Sequence, residues 1–526
     1  MNPTLERYRQ LSYPGRPYLF THPARLSGLS ALIGGPVPPV ENARILELGC
    51  GDGVNLISLA AHIPGVTALG VDGAPGAIET AQEIAAATGV TSVEFVTADM
   101  SDFHYEDAFD YVIAHGVYSW VSADIREALM KTISRTLAPD GLAYISYNIT
   151  PGWHLRRVVR DSMLFMTAPD DEPRHQVKTA ARFAHDMAEL LPENVMHGRV
   201  FKAYAESAAL SDAPFVFHDY LAPENNPVSF QDFNEQCARH GLTWLMESAA
   251  SDVRHPDLTD NLRLLIQHES SAMTRETLID HAYGRDFRRS LVVHTKSSCA
   301  RIEPNADALE PLHVALRAPA PDTIDIREDV PLELVAGRDK QTFVRTHTKG
   351  VVALLGACFP ASRPFSSLPL LIGYLCDAYA TEPIDREVMA DIILSLAESE
   401  ALDILSEPRR EPTPCYSHPR AYRLAAHELR RGREQLTNRL HMSVSLDDLD
   451  RLILLLSDGR ARQDIVDRAV EAILKREIDL LDDDILANPS ETLKTKLMSL
   501  VHKRIDRLGQ IGLMEDDPNA HQETEE

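Results

Sequence analysis

The sequence predicts an α/β chain: a Rossmann-like, largely parallel sheet near the N-terminus, a mainly helical middle, and a C-terminal α+β region of winged-helix type. Three observations predict it. From Ala43 to about Asn148, short runs rich in Val and Ile alternate with stretches of helical period, as in βαβ units. Beyond Pro151 the apolar residues recur at three and four spacing, the mark of amphipathic helices. After the linker-like ALRAPAPD, strand patterning returns from about Asp322 in PLELVAG and QTFVRTH.

The first unit's strands are expected at 43 to 49, 67 to 72, 93 to 99, 109 to 116 and 141 to 148. Helices fill the intervals, notably GVNLISLAAHI and GAIETAQEIAAATG. The middle begins with three helices: WHLRRVVRDSMLFM, KTAARFAHDMAELL and HGRVFKAYAESAAL. A loop holding Pro223 and Pro227, a helix, and a short strand ending near Glu247 follow. Two short strands and KGVVALLGAC open the C-terminal region. A second unit is expected near Ser445, where a Ser445 to Asp448 capping box precedes two helices broken at Asp458-Gly459. The chain thus divides into an N-terminal segment (1–40), a core (41–160), a helical middle (161–315), the C-terminal region (316–514) and an acidic tail (515–526) expected to be disordered.

The 526 residues suggest three or four domains at roughly 150 residues each. With 44% hydrophobic and 25% charged residues, the chain can bury several cores. Its 52 Lys and Arg against 78 Asp and Glu leave a net charge of −26, the wrong sign for tracking a phosphate backbone. Nucleic-acid and anionic-membrane partners are disfavoured, and no apolar run approaches the ~18 residues of a span. Six cysteines scattered singly, without a CxxC pair, fit a reduced, cytoplasmic setting.

Chemistry concentrates in ILELGCGDGVN, where Gly49, Gly51 and Gly53 lie between a strand and a helix. Alternate glycines let backbone turn sharply and approach a ligand without Cβ obstruction. The GxGxG spacing departs from GxGxxG and from GxxxxGK[ST], which disfavours nicotinamide and triphosphate ligands. Asp72 ends the second strand, where a carboxylate accepts both ribose hydroxyls; Asp99 ends the third, within reach of an adenine amine. The pattern points to adenosine without a phosphate cradle.

ELGCGDG with Asp72 and Asp99 resembles the class I S-adenosylmethionine-dependent methyltransferases over roughly residues 40 to 150. YPGRPYLFTHPARLSGLSALIGG, HGVYSWV and AYISYNITPGW resemble the methyltransferases that carry a regulatory domain, among them the rickettsial-type outer-membrane-protein lysine methyltransferases. HDYLAPENNPVSFQDF and RDFRRSLVVH are similar to that family's middle domain, and TNRLHMSVSLDDLDRLILLLSDG to its C-terminal one. The resemblance implies S-adenosyl-L-methionine as cofactor, held by Tyr13, Tyr18, Glu47, Gly49, Gly51, Gly53, Asn55, Asp72, Asp99, Met100 and His115. It also implies that the N-terminal segment, with Tyr13, Tyr18 and His22, closes over that cofactor. His115-Gly116-Val117-Tyr118-Ser119-Trp120 stands where amide and adenine N-methyltransferases have Asn-Pro-Pro or Asp-Pro-Pro with an aromatic, so transfer to those amines loses support.

The expected activity is N-methylation of lysine on a protein or peptide by in-line displacement. Candidate catalytic residues are His115, Tyr118, Trp120, Tyr147 and Asn148, with Trp153 beside them and His115 as the nearby candidate base. Two alternatives stand beside this one: a small-molecule N- or O-methyltransferase, and a non-catalytic cofactor-binding interaction protein. Cys50 reads as a turn filler, no metal site is expected, and a homodimer is left open. Residues 315 to 526 are expected to serve substrate recruitment, not chemistry.

Overall fold

The computed structural model describes residues 3–105, 108–169, 171–209, 212–251, 259–269, 271–297, 301–336, 339–379, 384–410, 417–478 and 491–517. Seven strands form one sheet: β1 (Arg44–Leu48), β2 (Thr67–Asp72), β3 (Val93–Thr97), β4 (Phe109–Ala114), β5 (Leu137–Asn148), β6 (Leu242–Glu247) and β7 (Phe287–His294). Their order is β3-β2-β1-β4-β5-β7-β6. The first five are parallel, and β7 runs antiparallel between β5 and β6. All five expected core strands are present. The expected boundary at residue 160 cuts this sheet, because the segment read as a helical middle supplies its last two strands.

Strand β7 is disguised by its own chemistry. FRRSLVVH looks half-exposed, yet the Arg288 side chain is fully buried, donating to Glu247 at 2.7 Å, Glu276 at 3.0 Å and Asp280 at 2.8 Å. A buried guanidinium requires such partners, and they come from β6 and the helix Ala272–Tyr283.

Apolar residues cover both sheet faces. On one face Leu46, Val112, Ala143 and Ile145 pack with helix Phe230–Arg239; on the other Ile45, Tyr111, Leu142 and Leu291 join a core continuous with the C-terminal region. Helices Gly152–Phe165, Pro173–Leu190 and Met196–Ala209 form a separate cluster closed by a π-helical turn, Val216–Tyr220.

The C-terminal region starts earlier than the sequence suggests. His313–Leu316, within the expected linker zone, is the central strand of a three-stranded sheet with Arg363–Pro364 and Leu402–Leu405. The hairpin Leu332–Ala336 and Asp339–Phe343 follows as expected. A second unit begins near Pro419, not Ser445. Ser445 ends strand Ser443–Ser445, and the helix cap is Asp447, whose carboxylate accepts from the Asp450 N–H at 2.9 Å. The helices Asp448–Leu456 and Arg462–Leu474 break at Asp458-Gly459 as read. Glu515 and Asp516, assigned to a disordered tail, lie in strand Met514–Asp516 paired with Pro419–Ala421; the tail beyond Asp517 lies outside the described residues.

Helix Pro23–Leu32 joins the two halves. Gly28 sits so close to the strand Leu402–Leu405 that a Cβ would lie 2.6 Å from the Ile404 carbonyl oxygen. The buried Arg25 guanidinium meets Asp403 at 3.2 Å, and Arg317 and Arg409 share that carboxylate.

Candidate active site

The glycine-rich turn leaves β1 with all three glycines at positive φ, 75°, 56° and 72° for Gly49, Gly51 and Gly53. Their environments differ. A Cβ on Gly49 would lie 2.3 Å from Val117, and one on Gly53 2.5 Å from Phe95, whereas nothing stands within 4 Å of the Gly51 position. Two of the glycines therefore let the turn pack, and Gly51 faces open space. Asp72 holds this turn: its Oδ2 accepts from Gly51 N at 2.9 Å and its Oδ1 from Ala74 N at 2.8 Å. Each oxygen keeps a lone pair, so the two-hydroxyl acceptor inferred from sequence remains available. Burial raises the Asp72 pKa while these two N–H groups oppose the rise.

Asp99 is exposed, and its Oδ1 accepts from both the N–H and the hydroxyl of Ser101, at 2.9 and 2.6 Å. Met100 packs against the sheet core from the same turn.

Glu47 is buried, with Oε1 accepting from Asn55 Nδ2 at 2.9 Å and Oε2 without a hydrogen-bond partner among the described residues. Burial pushes its carboxyl up to about 8, against the pull of Asn55. An orphaned acid oxygen beside an open glycine turn fits a ligand carrying a cationic amine. Asn55 spends its own oxygen on Tyr18 N at 2.8 Å and Thr21 Oγ1 at 3.3 Å, so it orients Glu47 and the N-terminal segment.

That segment, residues 11 to 22, is tied down from three sides. The turn holds Gly15 N on Asp52 at 2.9 Å. The middle domain holds Leu11 O through His218 Nε2 at 2.6 Å and Arg16 through Asp212 at 2.9 Å. The C-terminal domain holds Tyr18 O through His441 Nε2 at 3.1 Å. Tyr18 lies against His115 with ring centroids 3.9 Å apart, and Tyr8 stacks on His218 at 4.4 Å with Tyr13 edge-on at 5.7 Å. His22 turns away from this crevice toward His62 and His441. Arg7, Tyr8, Trp120, His218, Ala222, Pro223 and Glu224 line the adjoining cleft.

Three expectations for the transfer residues need correction. The buried Tyr118 hydroxyl donates to Gln236 on helix Phe230–Arg239, and its ring packs on Phe233, in the core on the far side of β4. Tyr147 stacks on Phe233 at 4.0 Å and pairs with Ser290 Oγ at 3.0 Å in that same core. Side chains alternate along β5, so Tyr144 and not Tyr147 faces His115, at 3.1 Å from Nδ1. His115 is a weak base, because burial, reinforced by Arg289, holds its pKa down at about 3. Trp120 does reach the cleft, with Trp153 edge-on at 6.3 Å, and Asn148 Nδ2 donates to Asn225 at 3.3 Å close by.

The sequence reading missed Tyr8 and His218, which line the cleft. Tyr8 precedes every recognisable motif, and His218 sits in HDYLAPENN, read as a loop approach and as similar to the family's middle domain but given no site role. The signal for His218 was HDY itself, three polar or aromatic residues together on a turn that the structure winds as a π-helix, a form enriched at functional sites.

An open glycine turn, a ribose-type acid at the end of β2 and this sheet order define a class I S-adenosylmethionine-dependent methyltransferase. Residues 45–141 match the family described as methyltransferase domain, 212–294 the predicted methyltransferase regulatory domain, and 417–513 the PKMT C-terminal winged helix domain. The chain belongs to the methyltransferase family that unites these three domains. It is 30% identical to the Rickettsia prowazekii protein RP028 over 236 residues, covering 94% of that protein and 44% of this chain. It is 31% identical to RP789 of the same organism over 304 residues, 57% of this chain, but spans only 55% of RP789. The crystal structure of PKMT2 from Rickettsia typhi has the same fold, with a TM-score of 0.82 over 95% of this chain and 99% of that one at 20% identity. That protein was also crystallised with AdoHcy.

Proposed function

We propose that this chain transfers the methyl group of S-adenosylmethionine to the side-chain nitrogen of lysine on a protein or peptide. The bound cofactor supplies a sulfonium methyl to an in-line displacement. Asp72 would take the ribose hydroxyls, Gly51 would let the ligand approach backbone, and Glu47 would meet the amino group of the methionine end.

The observation that carries the acceptor reading is the cleft lined by the rings of Tyr8, Trp120 and His218, with Arg7 and Glu224 at its edge. A lysine amine must be neutral to attack. Its ordinary pKa of about 10.4 makes the neutral form cost about 4.6 kcal/mol at pH 7. Aromatic walls that exclude water lower that cost by disfavouring the cation, and they align the nitrogen with the methyl carbon. PKMT-type winged helices and a fold shared with PKMT2 along nearly its whole length support a protein acceptor.

Incubation with labelled S-adenosylmethionine and host lysate, separated into protein and small-molecule fractions, tests the reading. Label recovered as methyllysine in the protein fraction is the expected result. Label confined to small molecules would replace it with a small-molecule methyltransferase.

A further inference from the structure

The regulatory domain brings a cation to the cofactor edge of the sheet. Arg289 on β7 is level with Ser146 on β5, and the preceding Ile145 is level with Ala114 on β4. His115, Ser146 and Arg289 thus form one row at the carboxyl ends of the parallel strands, tied by Gly116 N donating to Ser146 Oγ at 2.8 Å. Strands about 4.8 Å apart put Arg289 roughly 10 Å from His115, with the small Ser146 between them, a gap that an extended arginine crosses. The Arg289 backbone is pinned, its N–H on Glu247 Oε2 at 2.8 Å and its carbonyl accepting from Ser248 N at 2.7 Å. Its guanidinium lies 3.7 Å from the centre of the Phe20 ring. Phe20 stands between Tyr18 and Thr21, both bonded to Asn55, the partner of Glu47. Arg25, Arg433 and Arg16 are spent on Asp403, Asp52 and Asp212, whereas the half-buried Arg289 guanidinium has no hydrogen-bond or carboxylate partner among the described residues.

His115 adds a second donor. The Tyr144 hydroxyl is buried, and among the described residues its one hydrogen-bond partner is His115 Nδ1. Leaving a buried hydroxyl without an acceptor is costly, so Tyr144 donates to Nδ1 and the ring proton sits on Nε2. That Nε2–H has no partner among the described residues, and the ring is covered by Tyr18.

We propose that the Arg289 guanidinium and His115 Nε2–H receive the carboxylate at the methionine end of the cofactor. This deepens the cofactor placement given above and rests on it; the methyl acceptor plays no part. The cofactor carries its amine and its carboxylate on one carbon, so an amine at Glu47 Oε2 brings the carboxylate beside it. Glu47 on β1 is level with Ile113 on β4, and His115 follows Ile113 by two residues, which puts it on the same face. The amine acceptor and the carboxylate donors therefore share one face of the sheet under one cover, Tyr18 and Phe20. A guanidinium holds a carboxylate through two parallel charged hydrogen bonds, and the neutral imidazole N–H adds a third. The cofactor site is then incomplete without β7, a strand of the regulatory domain.

Calorimetry with S-adenosylhomocysteine and with its decarboxylated analogue, which keeps the adenosine, the thioether and the amine, tests the proposal. The wild-type protein should bind the analogue about 10- to 100-fold more weakly than S-adenosylhomocysteine. Arg289→Gln should weaken S-adenosylhomocysteine by a similar factor and leave the analogue within about threefold of wild type, which also establishes that the variant folds. Should the Gln variant bind neither ligand, Arg289→Lys is measured instead. It keeps the charge without the fork, and it should hold the analogue at wild-type affinity and S-adenosylhomocysteine about 3- to 10-fold more weakly. Wild-type protein that binds both ligands equally, or Arg289→Gln that binds S-adenosylhomocysteine as wild type does, overturns this inference alone. So does an equal loss for both ligands in the Lys variant, since Arg289 would then only shape the fold. Wild-type protein that binds neither ligand overturns the cofactor placement as well.

Discussion

Arg433 of the winged helix donates to Asp52 Oδ2 at 2.8 Å, on the same oxygen that receives Gly15 N at 2.9 Å. Asp52 lies between the second and third glycines of the cofactor turn, so the C-terminal domain holds that turn directly. His441 adds a second grip, accepting from Ser58 Oγ at 2.9 Å while it donates to Tyr18 O. The C-terminal region therefore does more than recruit substrate, the role the sequence suggested.

Arg433→Ala should weaken S-adenosylhomocysteine binding by about 5- to 30-fold, the loss of roughly 1 to 2 kcal/mol from a mostly buried charged hydrogen bond. Calorimetry on the variant checks this. Unchanged affinity would mean that the turn keeps its shape without the winged helix.

Asp72→Ala should lose more than about 100-fold in cofactor affinity, because the same carboxylate orders Gly51 and Ala74 and faces the ribose position. Asp99→Ala should lose about tenfold or less, since that side chain is exposed and already bonded to Ser101. The contrast between the two in one titration is the measurement.

Cofactor binding should release a proton through Glu47. Its carboxyl, near 8 before binding, is mostly protonated at pH 7, and a ligand amine placed on its unpaired Oε2 favours the ionised form. Calorimetry at pH 7 in buffers of different ionisation enthalpy should report ~0.9 proton released, falling toward zero well above pH 8. Glu47→Gln should abolish the release.

Stability should fall with acid through the buried histidine trio. His62 Nδ1 donates to Ser58 O, its Nε2 accepts from His22 Nε2 at 3.0 Å, and His22 Nδ1 accepts from Ala24 N at 3.2 Å. His441 is likewise held between a donor and an acceptor, so all three rings are neutral. Burial holds His62 down to about 4, and His22 and His441 well below their ordinary value. With folded pKa values depressed, the unfolded chain binds more protons below about 6.5. Stability is therefore full above that pH and is lost as pH falls toward 4, by about 3 kcal/mol for His62 alone. Denaturant midpoints from pH 7.5 to 4.5 should show this slope, and His62→Gln should flatten it.

Tyr118→Phe should leave turnover within about twofold and lower stability by about 1 to 2 kcal/mol, because Gln236 loses a buried donor. A large loss of rate with stability intact would return Tyr118 to the transfer site.

Much of the cofactor half was readable from local pattern. The five strands, the glycine turn and Asp72 lie within one continuous stretch, and turn chemistry depends on residues a few positions apart. Pairing across distance was not readable. FRRSLVVH concealed the last strand because the partners that neutralise Arg288 are Glu247, Glu276 and Asp280, none of them predictable neighbours of an arginine in sequence.

The sequence by itself determined the class of ligand, since alternate glycines followed by an acid at a strand end admit few chemistries. The tertiary structure alone decided which aromatics face the cleft. A strand sends adjacent side chains to opposite faces, so Tyr144 and Tyr147, three residues apart, part company, and nothing local says which face holds the ligand. It also decided that Tyr8 of the N-terminal segment stacks on His218 of the middle domain and that Arg433 of the winged helix reaches the glycine turn at Asp52. Such convergence depends on how separate cores pack together, which period and spacing do not encode.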